Sequence, residues 1–138
     1  MEVRSGSSRI LVDCGLFQGP RSLEQLNFEP FAFDAKALDA VILTHAHIDH
    51  SGLLPKLVAD GFTGPIWCTH ATRDLLHHML PDSGRIQEYE AERRNRRADR
   101  ADEPPVEPNY TEADAERALQ SCRPMALDEW WSPAEGFR

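Results

Sequence analysis

The chain has no apolar run long enough to cross a membrane, no cysteine pair at ligand or redox spacing, and no excess of positive charge. Each absence removes a class of function. Without a stretch of about 20 apolar residues there is no spanning helix. Met1-Glu2-Val3-Arg4 is not followed by an apolar h-region, so no secretory signal is read and a cytoplasmic protein is expected, with no membrane partner. Cys14, Cys68 and Cys122 are odd in number, widely spaced, and form no CxxC. They read as free thiols in a reducing compartment, each a small buried apolar residue rather than a metal ligand or nucleophile. With 15 basic against 23 acidic side chains the net charge is -8. The chain as a whole is therefore not an electrostatic binder of nucleic acid, although a further domain could supply basic surface.

What is present suits one domain with a real core. The length is 138 residues; 41% of them are hydrophobic and 28% charged, with the polar excess concentrated after the first eighty or so positions. Met1–Val3 and Arg9–Val12 read as strands joined by the turn-rich Ser5-Gly6-Ser7-Ser8, a hairpin. Residues 16–37 look irregular. Leu38–Thr44 carries the run Ala40-Val41-Ile42-Leu43 and reads as a buried strand. Leu53, Leu54, Leu57 and Val58 fall at helical spacing, with Gly61 as a stop signal. Gly64–Cys68 reads as another strand, and a helix from Thr69 or Ala71 to Leu80 is expected to end at Pro81. A second, charged helix is expected over Ile86–Ala101, with Glu90–Arg94 and Glu92–Arg96 at the favourable spacing. Asp102–Asn109 reads as a loop, and Thr111 as the N-cap of a further helix. Residues 123–138 suggest one or two strands carrying Trp130 and Trp131. The alternation of strands and helices predicts an α/β layered domain.

The informative segment is Thr44-His45-Ala46-His47-Ile48-Asp49-His50-Ser51-Gly52. Three imidazoles and a carboxylate lie within six residues, between a buried strand and an amphipathic helix. That donor set suits zinc, manganese or iron, and the C-terminal end of a strand is where α/β proteins gather ligands. His45 and His47 are two apart and point the same way on an extended backbone. Asp49 and His50 open the helix and aim elsewhere, so one pair per metal is the natural division. Two ions about 3.5–4 Å apart would activate one water for attack at phosphorus or at a carbonyl. A surface loop merely rich in histidine is the bland alternative; it lacks a reason for the strand and helix that flank the segment. Asp13 ends a strand and is the second candidate, either as a turn former or as the acceptor that fixes a ligand imidazole.

Other residues read more plainly. His70, His77 and His78 fit surface positions better than ligand positions. Arg93-Arg94-Asn95-Arg96-Arg97 with Arg100 could touch phosphates, but the interleaved acids favour a solvated helix face. Trp67, Trp130 and Trp131 fit packing better than base stacking.

His45, His47, Asp49 and His50 complete an HxHxDH pattern that resembles the second motif of the metallo-β-lactamase superfamily, and Asp13 resembles its first motif. The wording of Leu11-Val12-Asp13-Cys14-Gly15-Leu16-Phe17-Gln18-Gly19, of Thr44 to Pro55 and of Thr69-His70-Ala71-Thr72-Arg73-Asp74-Leu75-Leu76 is similar to the β-CASP ribonucleases. The resemblance implies part of an αββα sandwich and two zinc ions. His45 and His47 would bind the first ion, and Asp49 and His50 the second. Asp13 would orient a ligand, so that Asp49 and Asp13 are the candidate catalytic carboxylates. It implies an RNA substrate cleaved at its phosphodiesters by a di-zinc-bound hydroxide; whether the protein is a homodimer is left open. It further implies that residues 1–138 are a partial domain lacking the family's first strand, later ligand motifs and β-CASP domain. No histidine follows His78 to replace those ligands. The 138 residues alone are therefore expected to bind metal weakly and to catalyse negligibly. Two alternatives remain: a related hydrolase acting on thioesters, lactones or small phosphodiesters, and a non-catalytic scaffold that keeps the fold.

Overall fold

β1 (Glu2–Ser5) and β2 (Ser8–Val12) form the expected antiparallel hairpin, with Ser5 opposite Ser8 and Val3 opposite Ile10. The structure, a computed structural model, describes residues 1–98 and 104–138, and of Arg97 and Ala98 the backbone alone. β3 (Ala40–Ile42), β4 (Ile66–Thr69) and β5 (Cys122–Met125) then add in parallel, giving a five-stranded sheet in the order β1-β2-β3-β4-β5. Each parallel step needs a crossover, because the chain must return to the same end of the sheet. From β2 to β3 it is made by residues 13–39, mostly irregular, with the short helix α1 (Arg21–Glu24) and two single 3-10 turns, Gln25–Phe28 and Ala35–Ala37. From β3 to β4 it runs through α2 (Ile48–Ser51) and α3 (Leu54–Ala59). From β4 to β5 it runs through α4 (His70–Ala98) and α5 (Glu112–Ser121).

Period-two alternation decides which side of the sheet each residue serves. Leu11, Val41, Leu43, Ile66 and Cys68 enter the main core with Leu54, Leu57, Phe62, Leu76, Leu80, Tyr110 and Leu119. The neighbouring positions Ile10 and Ile42 face the other way, where with Val3, Trp130, Trp131 and Phe137 they line a cavity of 420 Å³. Leu54, Leu57, Leu76 and Leu80 have no exposed surface. Each contributes about 1.5–3 kcal/mol by burial, which is enough to hold α3 and α4 on the sheet. No helix of the described residues is long and apolar enough to cross a membrane.

Two expectations are corrected. α4 does not stop at Pro81; it continues through it to Ala98, fusing the two helices expected on either side. A proline inside a helix removes a hydrogen bond and costs roughly 3 kcal/mol. Here Leu76 and Leu80 before it, and Ala91 after it, are all buried, so packing on both sides outweighs the local penalty. The last strand also lies earlier than expected: it ends at Met125, and Trp130 and Trp131 follow in irregular chain. Trp131 packs against Trp67 with ring centroids 5.1 Å apart, while Trp130 is 80% exposed. The Glu90–Arg94 and Glu92–Arg96 pairs are not among the ion pairs of the described residues; on the same helix Arg85 joins Asp82 at 3.2 Å and Glu112 at 3.0 Å. Residues 99–103, at the expected helix end and loop start, lie outside the described residues.

Candidate metal centre

The ends of β2 and β3 lie side by side, because Asp13 N–H donates to Ile42 O at 3.0 Å. Asp13 then turns back with φ 59, in the left-handed region that a side chain other than glycine enters at a cost of about 1–2 kcal/mol. That turn aims its carboxylate at the start of the histidine segment. Thr44 N–H donates to Asp13 Oδ1 at 2.9 Å, and Thr44 Oγ1 lies 3.0 Å from both carboxylate oxygens. His50 Nδ1 stands 2.8 Å from Asp13 Oδ2. Burial pushes the Asp13 carboxyl up, but the hydrogen bonds from the Thr44 backbone, His50 and the Thr44 hydroxyl together hold it below the usual carboxylate range.

An ionised Asp13 only accepts, so it fixes the protons around it. His50 Nδ1 must carry the hydrogen it shares with Oδ2. The Thr44 hydroxyl must give its proton to the carboxylate, which leaves its lone pairs for His45 Nδ1–H, 3.0 Å away. Both imidazoles are thereby left with Nε2 as the free lone pair. This is the tautomer a metal ligand needs, fixed by the partner on its other nitrogen.

α2 presents the remaining donors. His47 caps the helix, and its carbonyl receives the N–H groups of His50 and Ser51, both at 2.9 Å. Ser51 is fully buried, and its hydroxyl donates to Ala46 O at 2.9 Å and His47 O at 3.0 Å, which pins the turn from below. The His45 ring lies 4.6 Å from that of His47 and 4.1 Å from that of His50, centroid to centroid. Asp49 Oδ2 is 3.7 Å from His50 Nε2. The three imidazoles and the carboxylate are thus neighbours. By ring centroids His45 is nearer to His50 than to His47.

Among the described residues no group of three His, Cys, Asp or Glu side chains is placed so that it could hold a metal ion. The donor types nonetheless suit a zinc-type ion: two imidazoles whose Nδ1 atoms are held by a hydroxyl and a carboxylate, beside the Asp49 carboxylate. His47 and Asp49 are exposed, while His45 and His50 are half-buried. A cavity of 730 Å³ contains none of these residues; Arg21, Lys56 and Arg94 line it together with Glu24, Glu29 and Glu107.

Other sequence candidates stand apart. His70, His77 and His78 are exposed on α4, and Arg93, Arg94 and Arg96 are exposed further along it. Cys14, Cys68 and Cys122 are free and buried. Two residues of the site carried no role in the sequence reading. Thr44 bridges Asp13 and His45, and a hydroxyl directly before the first histidine was its only signal. Gly15 lies against the backbone of Asp49 and His50, and nothing in its neighbours announces that.

The mixed sheet, parallel from β2 to β5 and with its histidine-rich turn at the C-terminal end of β3, places the chain in the α/β class. It belongs to the metallo-β-lactamase superfamily, whose family model matches residues 1–119. The chain is 40% identical to ribonuclease TTHA0252 of Thermus thermophilus over 126 residues, 91% of its own length and 25% of that protein's. It is 47% identical to the transcription termination factor FttA of Methanosarcina mazei over 70 residues, half of the chain and 11% of the relative. It is 31% identical to the probable RNase MJ4 of Methanocaldococcus jannaschii over 90 residues, 65% of the chain and 20% of the relative. The chain therefore spans a quarter or less of the length of these relatives.

Proposed function

We propose that the chain carries the metal-binding part of a zinc-dependent ribonuclease of the β-CASP branch. Residues 1–138 form a partial metallo-β-lactamase domain, and the whole protein cleaves RNA phosphodiesters. His45, His47, Asp49 and His50 are the ligands. Asp13 fixes His50 directly and His45 through Thr44, so that both imidazoles offer Nε2. Asp49 orients the attacking group as well as binding. Bound zinc would supply Lewis acidity, activating water and neutralising charge at phosphorus. The single observation that carries the reading is the His50 Nδ1–Asp13 Oδ2 contact of 2.8 Å, with the His45 ring packed against His50 and the His47 ring against His45. A carboxylate placed to set a histidine tautomer is what a ligand requires and what a chance histidine-rich loop lacks.

The relatives named as ribonucleases support RNA as the substrate class. Hydrolysis of single-stranded RNA by the whole protein is expected to fall to background in His47→Ala, and to be lost on chelation and restored by zinc. Hydrolysis that survives His47→Ala removes the proposal. A cytoplasmic location is checked by fractionation, and a homodimer by light scattering.

A further inference from the structure

Residues 14–16 run along the histidine turn and are tied to it by backbone hydrogen bonds. Cys14 N–H donates to His50 O at 2.7 Å, Leu16 N–H to Ile48 O at 3.0 Å, and Leu53 N–H to Cys14 O at 2.9 Å. Gly15 sits in the middle of this seam. A Cβ added there would stand 1.7 Å from Asp49 O, 2.0 Å from Asp49 C and 2.5 Å from His50 N. All three are backbone atoms, so no side-chain rotation relieves the overlap. The seam is bonded on both sides of Gly15, so it cannot open at one end only.

We infer that Gly15 is a positioning residue for the metal centre. Its missing side chain lets the Asp13 segment lie flush on the Asp49–His50 backbone, and so sets Asp13 Oδ2 within reach of His50 Nδ1. Alanine would force the two segments apart by more than an ångström, because contacts under 3.0 Å are essentially never seen for a real Cβ. An ångström added to the 2.8 Å bond carries it beyond hydrogen-bond range. His50 would then lose the partner that fixes its tautomer. The functional half of this inference rests on the proposed metal centre; the geometric half concerns only atoms of the chain.

The test compares Gly15→Ala with Gly84→Ala in the full chain. Gly84, on α4, is also crowded by backbone but less tightly: a Cβ there would meet Glu112 N at 2.7 Å, against 1.7 Å for the nearest atom at Gly15. Two readouts are taken: the ¹⁵N signature of His50 Nδ1–H in metal-free protein, and zinc affinity by calorimetry. Gly15→Ala is expected to lose the signature and to bind zinc about 10–100-fold more weakly. Gly84→Ala is expected to keep both. A wild-type His50 signature in Gly15→Ala, or equal losses in Gly84→Ala, overturns the inference. Should Gly15→Ala fail to fold, amide exchange in the unmutated chain decides. Protection of Cys14 and Leu16 amides at the level of β2 supports the seam, and exchange at free-loop rates overturns it. If the unmutated chain binds no zinc, the proposed metal centre fails, and the His50 signature still judges Gly15.

Discussion

Asp13 and His50 are 37 residues apart in the chain, and Oδ2 of one lies 2.8 Å from Nδ1 of the other. The contact joins the end of β2 to α2 through a residue held at φ 59. Backbone strain and carboxylate chemistry meet at one position, and two substitutions separate them. Asp13→Gly removes the carboxylate and relieves the backbone; Asp13→Ala removes the carboxylate and keeps the strain. Both are expected to weaken zinc binding by about 10–100-fold. Urea unfolding should find Asp13→Ala less stable than Asp13→Gly by about 1–2 kcal/mol. Equal stabilities would show that the left-handed turn costs nothing.

Thr44→Val keeps the β-branched shape and the backbone N–H bond to Asp13 while deleting the hydroxyl. His45 Nδ1–H then loses its acceptor, and His50 keeps its own. The expected result in ¹⁵N spectra is a mixed tautomer at His45 beside an unchanged His50. Zinc affinity should fall by about 10-fold, the mild end of the range for a lost ligand-orienting partner. A mixed tautomer at His50 as well would mean that Thr44 supports the whole carboxylate rather than one imidazole.

Pro81 lies inside α4, whose buried residues stand on both sides of it. Pro81→Ala restores an N–H to the helical ladder and removes the ring's clash with the carbonyl four residues back. Stabilisation of about 1–3 kcal/mol is expected in urea unfolding, within the penalty a helix-interior proline carries. A loss of stability would show that α4 depends on a bend at this point.

Burial pushes the Cys14 thiol up to about 12. In the unfolded chain it titrates near its ordinary value of about 8.5. A folded value above the unfolded one gives stability that is fully present below about pH 8.5 and lost as the pH rises toward 12. The urea midpoint is therefore expected to decline above pH 8.5, and Cys14→Ser to flatten that decline. Iodoacetamide at pH 8 should leave the buried Cys14, Cys68 and Cys122 unmodified in the folded chain and alkylate them in urea, as read by mass. Rapid labelling of the folded protein would contradict the burial.

The parts of the fold that sequence revealed are those whose cause is local. The run Ala40-Val41-Ile42-Leu43 and the spacing of Leu53, Leu54 and Leu57 fix a strand and a helix around the histidine turn without reference to the rest of the chain. Thr111 and Asp114 cap α5 reciprocally, with Thr111 N–H to Asp114 Oδ2 at 2.8 Å and Asp114 N–H to Thr111 Oγ1 at 3.2 Å, and such a box can be read from four residues. Asp13 was half legible: its place at a strand end was clear, but the choice between turn former and acceptor depended on the pairing of β2 with β3. Pro81 misled because its local penalty is visible and the packing that offsets it is not. Gly15 was silent because a glycine needed for close approach looks like one needed for a bend.

β2 pairs with β3 in parallel, Ile10 beside Ala40 through Val12 beside Ile42, and this one pairing closes the stretch that holds every donor of the candidate centre. A ribosome has synthesised all of those groups before it begins the long helix α4. The five side chains of the candidate centre, Asp13, His45, His47, Asp49 and His50, thus come from one stretch that precedes α4. A change after that point in the chain reaches these side chains only through the packing of α4 and α5 on the sheet, not through the β2–β3 pairing that sets them side by side.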